Sequence, residues 1–91
     1  MIKSYLVKVS GRVQGVGFRY SAMDKAKSLG LRGWVRNEFD GSVSARFEGP
    51  EESVFLYISW LKSGPPSAIV KSTIVTEMTV DDSLDHFHVE F

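Results

Sequence analysis

The feature that most constrains the fold is a change in the spacing of apolar residues early in the chain. From Tyr5 to Val13, apolar and polar side chains alternate, which is typical of a strand with one buried face. The alternation ends at Gly15 and Gly17, and from Phe18 onward apolar residues recur at helical spacing. The beginning of the chain therefore predicts a strand, a glycine-rich turn and a helix, in that order.

The same two spacings predict the elements in the middle of the chain. Residues 31–37 and 43–48 alternate like strands, and the Asp40–Gly41 pair between them predicts a hairpin turn. A second helix is predicted to begin with Pro50 in its first helical position and to end before Gly64. Its apolar side chains at helical spacing, which are predicted to be buried, are Val54, Phe55, Ile58 and Leu61.

Two further strands complete the predicted fold. A long β-rich run spans residues 68–80, and a short one spans 86–91, with Phe87, Val89 and Phe91 predicted to face inward. The order β-α-β-β-α-β, with right-handed crossovers, places both helices on one face of an antiparallel sheet. This is the α+β, ferredoxin-like split βαβ plan. Because 91 residues that are 43% hydrophobic suffice for one core, a single domain over residues 1–91 is expected.

This plan brings two distant segments to one end of the sheet. The first two strands run parallel to each other with another strand between them, so their carboxyl ends lie together. We therefore expect the turn at residues 14–18 to approach Asn37 in space.

The composition excludes several classes of protein and site. The chain has no cysteine, which rules out a disulfide framework, a thiolate nucleophile and a cysteine-ligated metal. No apolar run is long enough to cross a membrane. The first residues are already patterned like a strand, so we expect no signal peptide and a cytoplasmic location. His86 and His88 share a strand face but have no evident third ligand, so neither a metal site nor a cofactor is expected.

The charges are balanced overall but separated along the chain. The net charge is zero, which argues against binding to nucleic acid. Residues 1–36 nevertheless hold eight cations and one anion, whereas residues 37–91 hold three cations and ten anions. We expect a local positive field at the loop end of the sheet, from Arg12, Arg19 and Arg36, that attracts a small dianion.

The turn between the first strand and the first helix predicts an anion site. Glycines let consecutive backbone N–H groups approach a phosphate at the start of a helix. Arg19 lies in the first turn of that helix, where a cation is unfavourable for the helix dipole and a bound phosphate would explain it. The alternative is a tight turn with a solvated arginine. The turn matches neither the phosphate loop of nucleotide hydrolases nor the dinucleotide-binding fingerprint.

Asn37 is the second candidate residue, at the end of the second predicted strand. A side-chain amide can orient a water molecule or a phosphoryl oxygen, but it cannot take up a proton at neutral pH. The alternative is a polar residue that only shapes the turn before Asp40.

Two long motifs give a resemblance to a known family. The segment from Val9 to Arg19 resembles the first signature of the acylphosphatase family. Gly33-Trp34-Val35-Arg36-Asn37, followed by Gly41-Ser42-Val43 and Gly49, resembles the second. Residues 64–70 and Phe87 also fit, so the resemblance covers nearly the whole chain.

The resemblance implies a small, metal-independent hydrolase that cleaves acyl phosphates to a carboxylate and inorganic phosphate. It assigns phosphate binding to Arg19 and water positioning to Asn37. The phosphate-cradling loop falls on Gln14, Gly15, Val16, Gly17 and Phe18. It further implies a monomer whose partner is a small acyl phosphate, with inorganic phosphate as product and competitive inhibitor, and with no nucleic-acid or membrane partner.

Three other functions are compatible with the same fold plan. An RNA-binding module would need exposed aromatic residues on the inner strands, and residues 43–47 do not supply them. A phosphate- or small-ligand-binding module without catalysis is the principal alternative. The third is a relative of the acylphosphatase-like domains that are fused to larger carbamoyl-transfer proteins, and fold analogy alone does not decide its substrate.

Overall fold

The structure, a computed structural model, describes all 91 residues and contains every predicted helix and strand. In chain order the elements are β1 (Ile2–Arg12), α1 (Phe18–Ser28), β2 (Arg32–Asn37), β3 (Val43–Pro50), α2 (Glu51–Ser63), β4 (Ile69–Met78) and β5 (His88–Glu90). Neither helix is both long enough and apolar enough to cross a membrane.

The strands form one sheet in the order β4-β1-β3-β2-β5. The four long strands pair antiparallel, and both helices cover one face, so the predicted α+β, ferredoxin-like plan is confirmed. The short strand β5 pairs parallel with β2, which makes the five-stranded sheet mixed rather than wholly antiparallel. Because β3 is antiparallel to β1 and to β2, those two strands run parallel and end at the same end of the sheet.

The core lies between the helices and one face of the sheet. Val7 and Val9 of β1 and Val35 of β2 are fully buried there, as the alternating pattern predicts. Tyr57 is the largest fully buried side chain, and its hydroxyl donates to the Ala22 carbonyl at 2.9 Å, which ties α2 to α1.

Two details of α2 differ from the prediction. Pro50 is not the first helical residue: it has an extended conformation (φ −56°, ψ 139°), ends β3 and precedes the helix. Phe55 is 47% exposed, and Tyr57 takes the buried position instead. The helix packs on the sheet through positions three and four residues apart, counted from Val54, and this spacing leaves Phe55 at the margin, against the ring of Tyr5.

The prediction that Phe91 faces the core is also wrong. Phe87 is buried and Val89 is half-buried, but Phe91 is 93% exposed. The parallel register pairs Arg36 with Glu90, so the next residue reaches the level of Asn37 at the end of the sheet, beyond the core.

The pairing of β1 with β4 changes register near the end of β1, just before the loop that leads to α1. The pairing shifts between Ser10 and Gly11, after which Gly11 pairs with Val70. Gly11 has a φ of 133°, and a Cβ atom there would lie 2.8 Å from the Lys71 backbone nitrogen. Only glycine therefore lets β1 and β4 stay paired up to the beginning of the loop.

At the opposite end of the sheet, residues 79–85 cross the face that the helices leave uncovered; we call them the crossover segment. Glu48 of β3 is fully buried beneath it. Its carboxylate pairs with Arg32 at 2.9 Å and accepts the Asp81 backbone N–H at 2.7 Å. The neighbouring Arg46 donates to the Ser4 hydroxyl and to the Thr79 carbonyl.

The rest of the uncovered face gives no support to the RNA-binding alternative. On the central strands β1 and β3, alternate side chains point to this face, and none of them is aromatic: Ser4, Leu6, Lys8, Ser10, Ser44, Arg46 and Glu48. The neighbouring strand β2 carries one aromatic residue on this face, Trp34, which is half-buried with the guanidinium of Arg36 4.4 Å from its ring centre. One ring already in contact with an arginine does not make a platform on which successive bases could stack.

Candidate active site

The loop from Gln14 to Gly17 has the backbone shape that an anion cradle requires. Gly15 and Gly17 both have left-handed backbone angles (φ 75° and 76°) at alternate positions. Gly17 precedes α1, no side chain caps this end of the helix, and no acidic residue lies in its first turn. The first N–H groups of α1 therefore remain free to donate to a phosphate.

Arg19 stands in the first turn of α1, half-buried, and forms no ion pair. The centre of its guanidinium lies 5.1 Å from the centre of the Phe91 ring and 6.0 Å from that of Tyr20. Cation–π contacts restrain the side chain without neutralising it. The N–H groups of Arg19 are thus available for a bidentate contact with an anion.

Asn37 is the last residue of β2, where it pairs with Val43 of β3. Its side-chain Oδ1 atom is buried and accepts no hydrogen bond from the protein. Buried polar atoms are nearly always hydrogen-bonded, so a buried acceptor without a protein partner points to a water molecule or ligand as its partner.

The structure brings the loop and Asn37 to the same end of the sheet, as predicted, through a contact that the sequence analysis missed. The side-chain Nε2 of Gln14 donates to the carbonyl of Glu38 at 2.8 Å and to that of Ser42 at 2.9 Å. Gln14 therefore fastens the start of the loop to the hairpin that follows Asn37. Its predicted contact with phosphate stays a prediction, and it now concerns the backbone N–H or the remaining amide oxygen.

The hairpin loop between β2 and β3 is itself held in place. The Asp40 carboxylate accepts the Ser42 N–H at 3.0 Å and pairs with Lys8 at 2.6 Å. Hydrogen bonds from Lys8 and Ser42 hold the pKa of Asp40 well below its usual value, and the same pair raises the pKa of Lys8. The ion pair of Asp40 with Lys8 and the hydrogen bonds from Gln14 thus hold the loop after Asn37 in place.

The other side of the loop is supported by α2 and by the segment that follows it. The ring of Phe18 packs against Trp60 with centroids 5.9 Å apart, and the Ser67 hydroxyl donates to the Val16 carbonyl at 2.8 Å. The sequence analysis did not select Ser67. The only local signal was its place in the turn after Gly64-Pro65-Pro66, which does not reveal its partner.

Known proteins that resemble this chain identify its family. A sequence model of the acylphosphatase family matches residues 5–89. The chain belongs to the acylphosphatase family. It is 50% identical over 84 residues to an acylphosphatase of Trichormus variabilis, covering 92% of this chain and 82% of that one.

Solved structures give the same result. The chain superposes on the crystal structure of an acylphosphatase from Bacillus subtilis with a TM-score of 0.93 and 37% identity, over 100% of both chains. It also matches full-length HypF in a phosphate- and nucleotide-bound form, with a TM-score of 0.87 and 26% identity, over 100% of this chain and 12% of that one.

One of the three arginines expected to form a positive field near the loop has acidic partners in the structure. Arg36 pairs with Glu38 at 3.2 Å and with Glu90 at 3.6 Å, and its guanidinium lies 4.4 Å from the centre of the Trp34 ring. Of the three arginines expected to contribute, Arg12 and Arg19 have no acidic partner. The expected attraction of a dianion therefore depends on these two residues, and it stays a prediction.

Proposed function

We propose that this protein hydrolyses acyl phosphates, with Arg19 and the loop amides binding the phosphate group and Asn37 orienting the attacking water. Two groups at one end of the sheet carry the proposal. Arg19 has no acidic partner, and the buried Oδ1 of Asn37 accepts no hydrogen bond from the protein. Membership of the acylphosphatase family supports the same reaction. The residues from Gln14 to Phe18 form the phosphate-cradling loop.

Phosphate binding uses charge and backbone together. The guanidinium of Arg19 donates two N–H groups to phosphoryl oxygens, and the first N–H groups of α1 donate to the same anion. Because no carboxylate competes for Arg19, its full charge acts on the phosphate. The transition state spreads charge over the phosphoryl oxygens, and these donors stabilise that charge.

Asn37 places the water. Its Oδ1 accepts one O–H of the water, and this fixes the direction of the oxygen lone pair that attacks phosphorus. The water oxygen forms the new bond to phosphorus while the bond from phosphorus to the acyl oxygen breaks. The electron pair of that bond leaves with the carboxylate. The proton released by the water passes to a phosphoryl oxygen, so the products are a carboxylate and dihydrogen phosphate.

No acid or base from the protein is needed for these steps. The conjugate acid of the leaving carboxylate has a pKa of about 4, so the group departs unprotonated at neutral pH. The transition state is loose, with little bonding to the nucleophile, and does not demand a strong base. Electrostatic stabilisation and positioning therefore carry the reaction, and we propose that no metal ion or cofactor takes part.

Other properties follow from the same proposal. Residues 1–91 form a single acylphosphatase-like domain, which we expect to be monomeric and cytoplasmic. Inorganic phosphate, the product, competes with the substrate because it fits the same donors. Gel filtration and cell fractionation test the first two expectations, and inhibition kinetics test the third.

The decisive experiment measures hydrolysis of benzoyl phosphate, with and without EDTA, and its inhibition by inorganic phosphate. Replacing Asn37 with Ala should lower kcat by about 100-fold, the scale for losing one oriented polar contact, while phosphate still inhibits. Ser10→Ala is a matched control, since Ser10 lies on the opposite face of the sheet. A near-normal kcat for Asn37→Ala would refute its role.

The same assay decides between the enzyme and the non-catalytic alternative. A module that only binds phosphate would show no turnover in the wild type, although direct titration would still detect phosphate binding that depends on Arg19. That result would overturn the proposed hydrolysis.

A further inference from the structure

Exposed aromatic side chains cluster around the candidate active site. The chain has four exposed aromatic residues. The rings of Tyr20 and Phe91 have their centres 6.0 Å and 5.1 Å from the guanidinium of Arg19, and Phe39 follows Asn37 by two residues in the chain. We call these three residues the aromatic rim. The fourth, Phe55, lies on α2 with its ring against Tyr5. Single exposed apolar residues are ordinary, but three exposed aromatic residues next to the two candidate site residues need a reason.

The position of each member is fixed by the fold. Tyr20 follows Arg19 in α1, and its ring is half-exposed. Phe39 lies two residues after Asn37, within about 7 Å of it along the chain. It is fully exposed, on a loop held by Gln14 and Asp40.

Phe91 lies near both Arg19 and Asn37. The parallel pairing of β5 with β2 sets Phe91 level with Asn37, and its ring contacts the guanidinium of Arg19. Phe91 as a residue is 93% exposed, so it is open to a bound molecule. It therefore borders the place where an anion on Arg19 would sit.

The geometry of the reaction points the acyl group toward this rim. In-line displacement puts the attacking water and the leaving acyl oxygen on opposite sides of phosphorus. The acceptor that holds the water, Asn37 Oδ1, is buried. The leaving group must then point outward to the surface, where the exposed rings lie.

We propose that the aromatic rim of Tyr20, Phe39 and Phe91 binds the acyl group of the substrate and selects acyl phosphates with aromatic or other apolar acyl groups over those with small ones. This inference rests on the proposed hydrolysis and adds the substrate class. Apolar rings gain from contact with an apolar acyl group by removing surface from water, and aromatic pairs gain further from ring geometry.

The test compares two substrates that share a phosphate but differ in the acyl group. For wild type, Phe39→Ala, Phe91→Ala and the double variant, kcat/KM is measured with benzoyl phosphate and with acetyl phosphate. We expect the benzoyl-to-acetyl ratio to fall about 3- to 10-fold in each single variant and further in the double variant, as expected for one lost aromatic contact each.

The matched control is Phe55→Ala, which removes an exposed ring remote from Arg19 and Asn37 and should leave the ratio unchanged. If the rim variants lower kcat/KM equally for both substrates, the rings act on Arg19 rather than on the acyl group, and the inference is wrong. An unchanged ratio in the double variant overturns it as well.

A binding measurement separates this inference from the proposed hydrolysis. Benzoylphosphonate and acetylphosphonate, in which a carbon–phosphorus bond replaces the hydrolysable acyl-phosphate linkage, are titrated calorimetrically against the wild type and the double variant. If the wild type hydrolyses neither substrate but binds benzoylphosphonate more tightly, the proposed hydrolysis is wrong. The inference about the aromatic rim still holds in that case if the double variant loses this preference. Equal affinity of the wild type for both phosphonates would defeat the rim.

Discussion

The two ends of the sheet differ in whether key polar side chains have partners within the protein. At the end covered by the crossover segment, the buried Glu48 has a partner for each carboxylate oxygen, Arg32 and the Asp81 N–H. At the other end, Arg19 has no acidic partner and Asn37 Oδ1 accepts nothing from the protein. Groups satisfied within the protein stabilise the fold, whereas groups left unsatisfied are available to a ligand. The contrast predicts which substitutions affect stability and which affect catalysis.

The substitution Arg19→Gln is expected to have the largest effect, and this effect is on catalysis. We expect kcat/KM for benzoyl phosphate to fall about 1000-fold or more, because an arginine on a transferring phosphoryl group has effects of this size. Inhibition by inorganic phosphate should disappear, while urea unfolding should change little because Arg19 forms no ion pair. Arg12→Gln, which also removes an unpaired cation, is the control and should retain most activity. Equal losses in both variants would mean that net charge, not Arg19, binds phosphate.

The second prediction concerns stability at the opposite end. Glu48→Ala leaves Arg32 and the Asp81 N–H without their partner, so we expect the free energy of unfolding to fall by about 3–5 kcal/mol. Urea denaturation measures this loss, and the kcat of the folded fraction should stay close to wild type. Glu77→Ala, which removes a carboxylate from an exposed pair with Lys3, is the control with a small effect. A large fall in kcat for Glu48→Ala at full folding would show that the two ends are coupled.

Gln14→Ala tests the residue that connects the loop before α1 to the β2–β3 loop. Two hydrogen bonds are lost, so we expect about 1–3 kcal/mol less stability and a fall in kcat of about 10-fold as Asn37 loosens. Inhibition by inorganic phosphate should persist. If phosphate inhibition is lost while kcat and stability are kept, the side chain of Gln14 contacts phosphate and its structural role is minor.

The smallest effect concerns pH and the hairpin loop. Folding lowers the pKa of Asp40 from its usual 3.8, so its ionised carboxylate adds stability above that pH. The contribution disappears as the pH falls through the lower, folded value. The thermal midpoint of the wild type should therefore exceed that of Asp40→Asn at neutral pH, and the difference should shrink in acid. A difference that grows in acid would contradict the assignment.

The sequence predicted those parts of the site that depend on local backbone chemistry. Left-handed angles at Gly15 and Gly17 are a property of the residues themselves, and the alternation around β1 and β2 sufficed to place Asn37 beside the loop. These features need no knowledge of distant partners, which explains why the order of the elements and the left-handed glycines of the loop could be predicted.

The features that the sequence analysis missed all depend on partners far away in the chain. Gln14 binds carbonyls of the β2–β3 loop, and Ser67 binds Val16, but neither partner is visible from local spacing. Phe91 continues an alternating pattern that predicts burial. Its exposure follows only from the parallel register with β2, which carries it past the core. The same limit explains why the acyl-binding rim could not be predicted.

The register shift between β1 and β4 has a consequence for folding. Gly11 and Arg12, which lead into the loop, pair with Val70 and Ile69. Such pairing between residues distant in the chain forms slowly, because a long loop must close before any contact is gained. We therefore expect the loop to reach its final shape only after β4 has docked. Catalytic competence would then arise late in folding, with the edge strand rather than with the helix that carries Arg19.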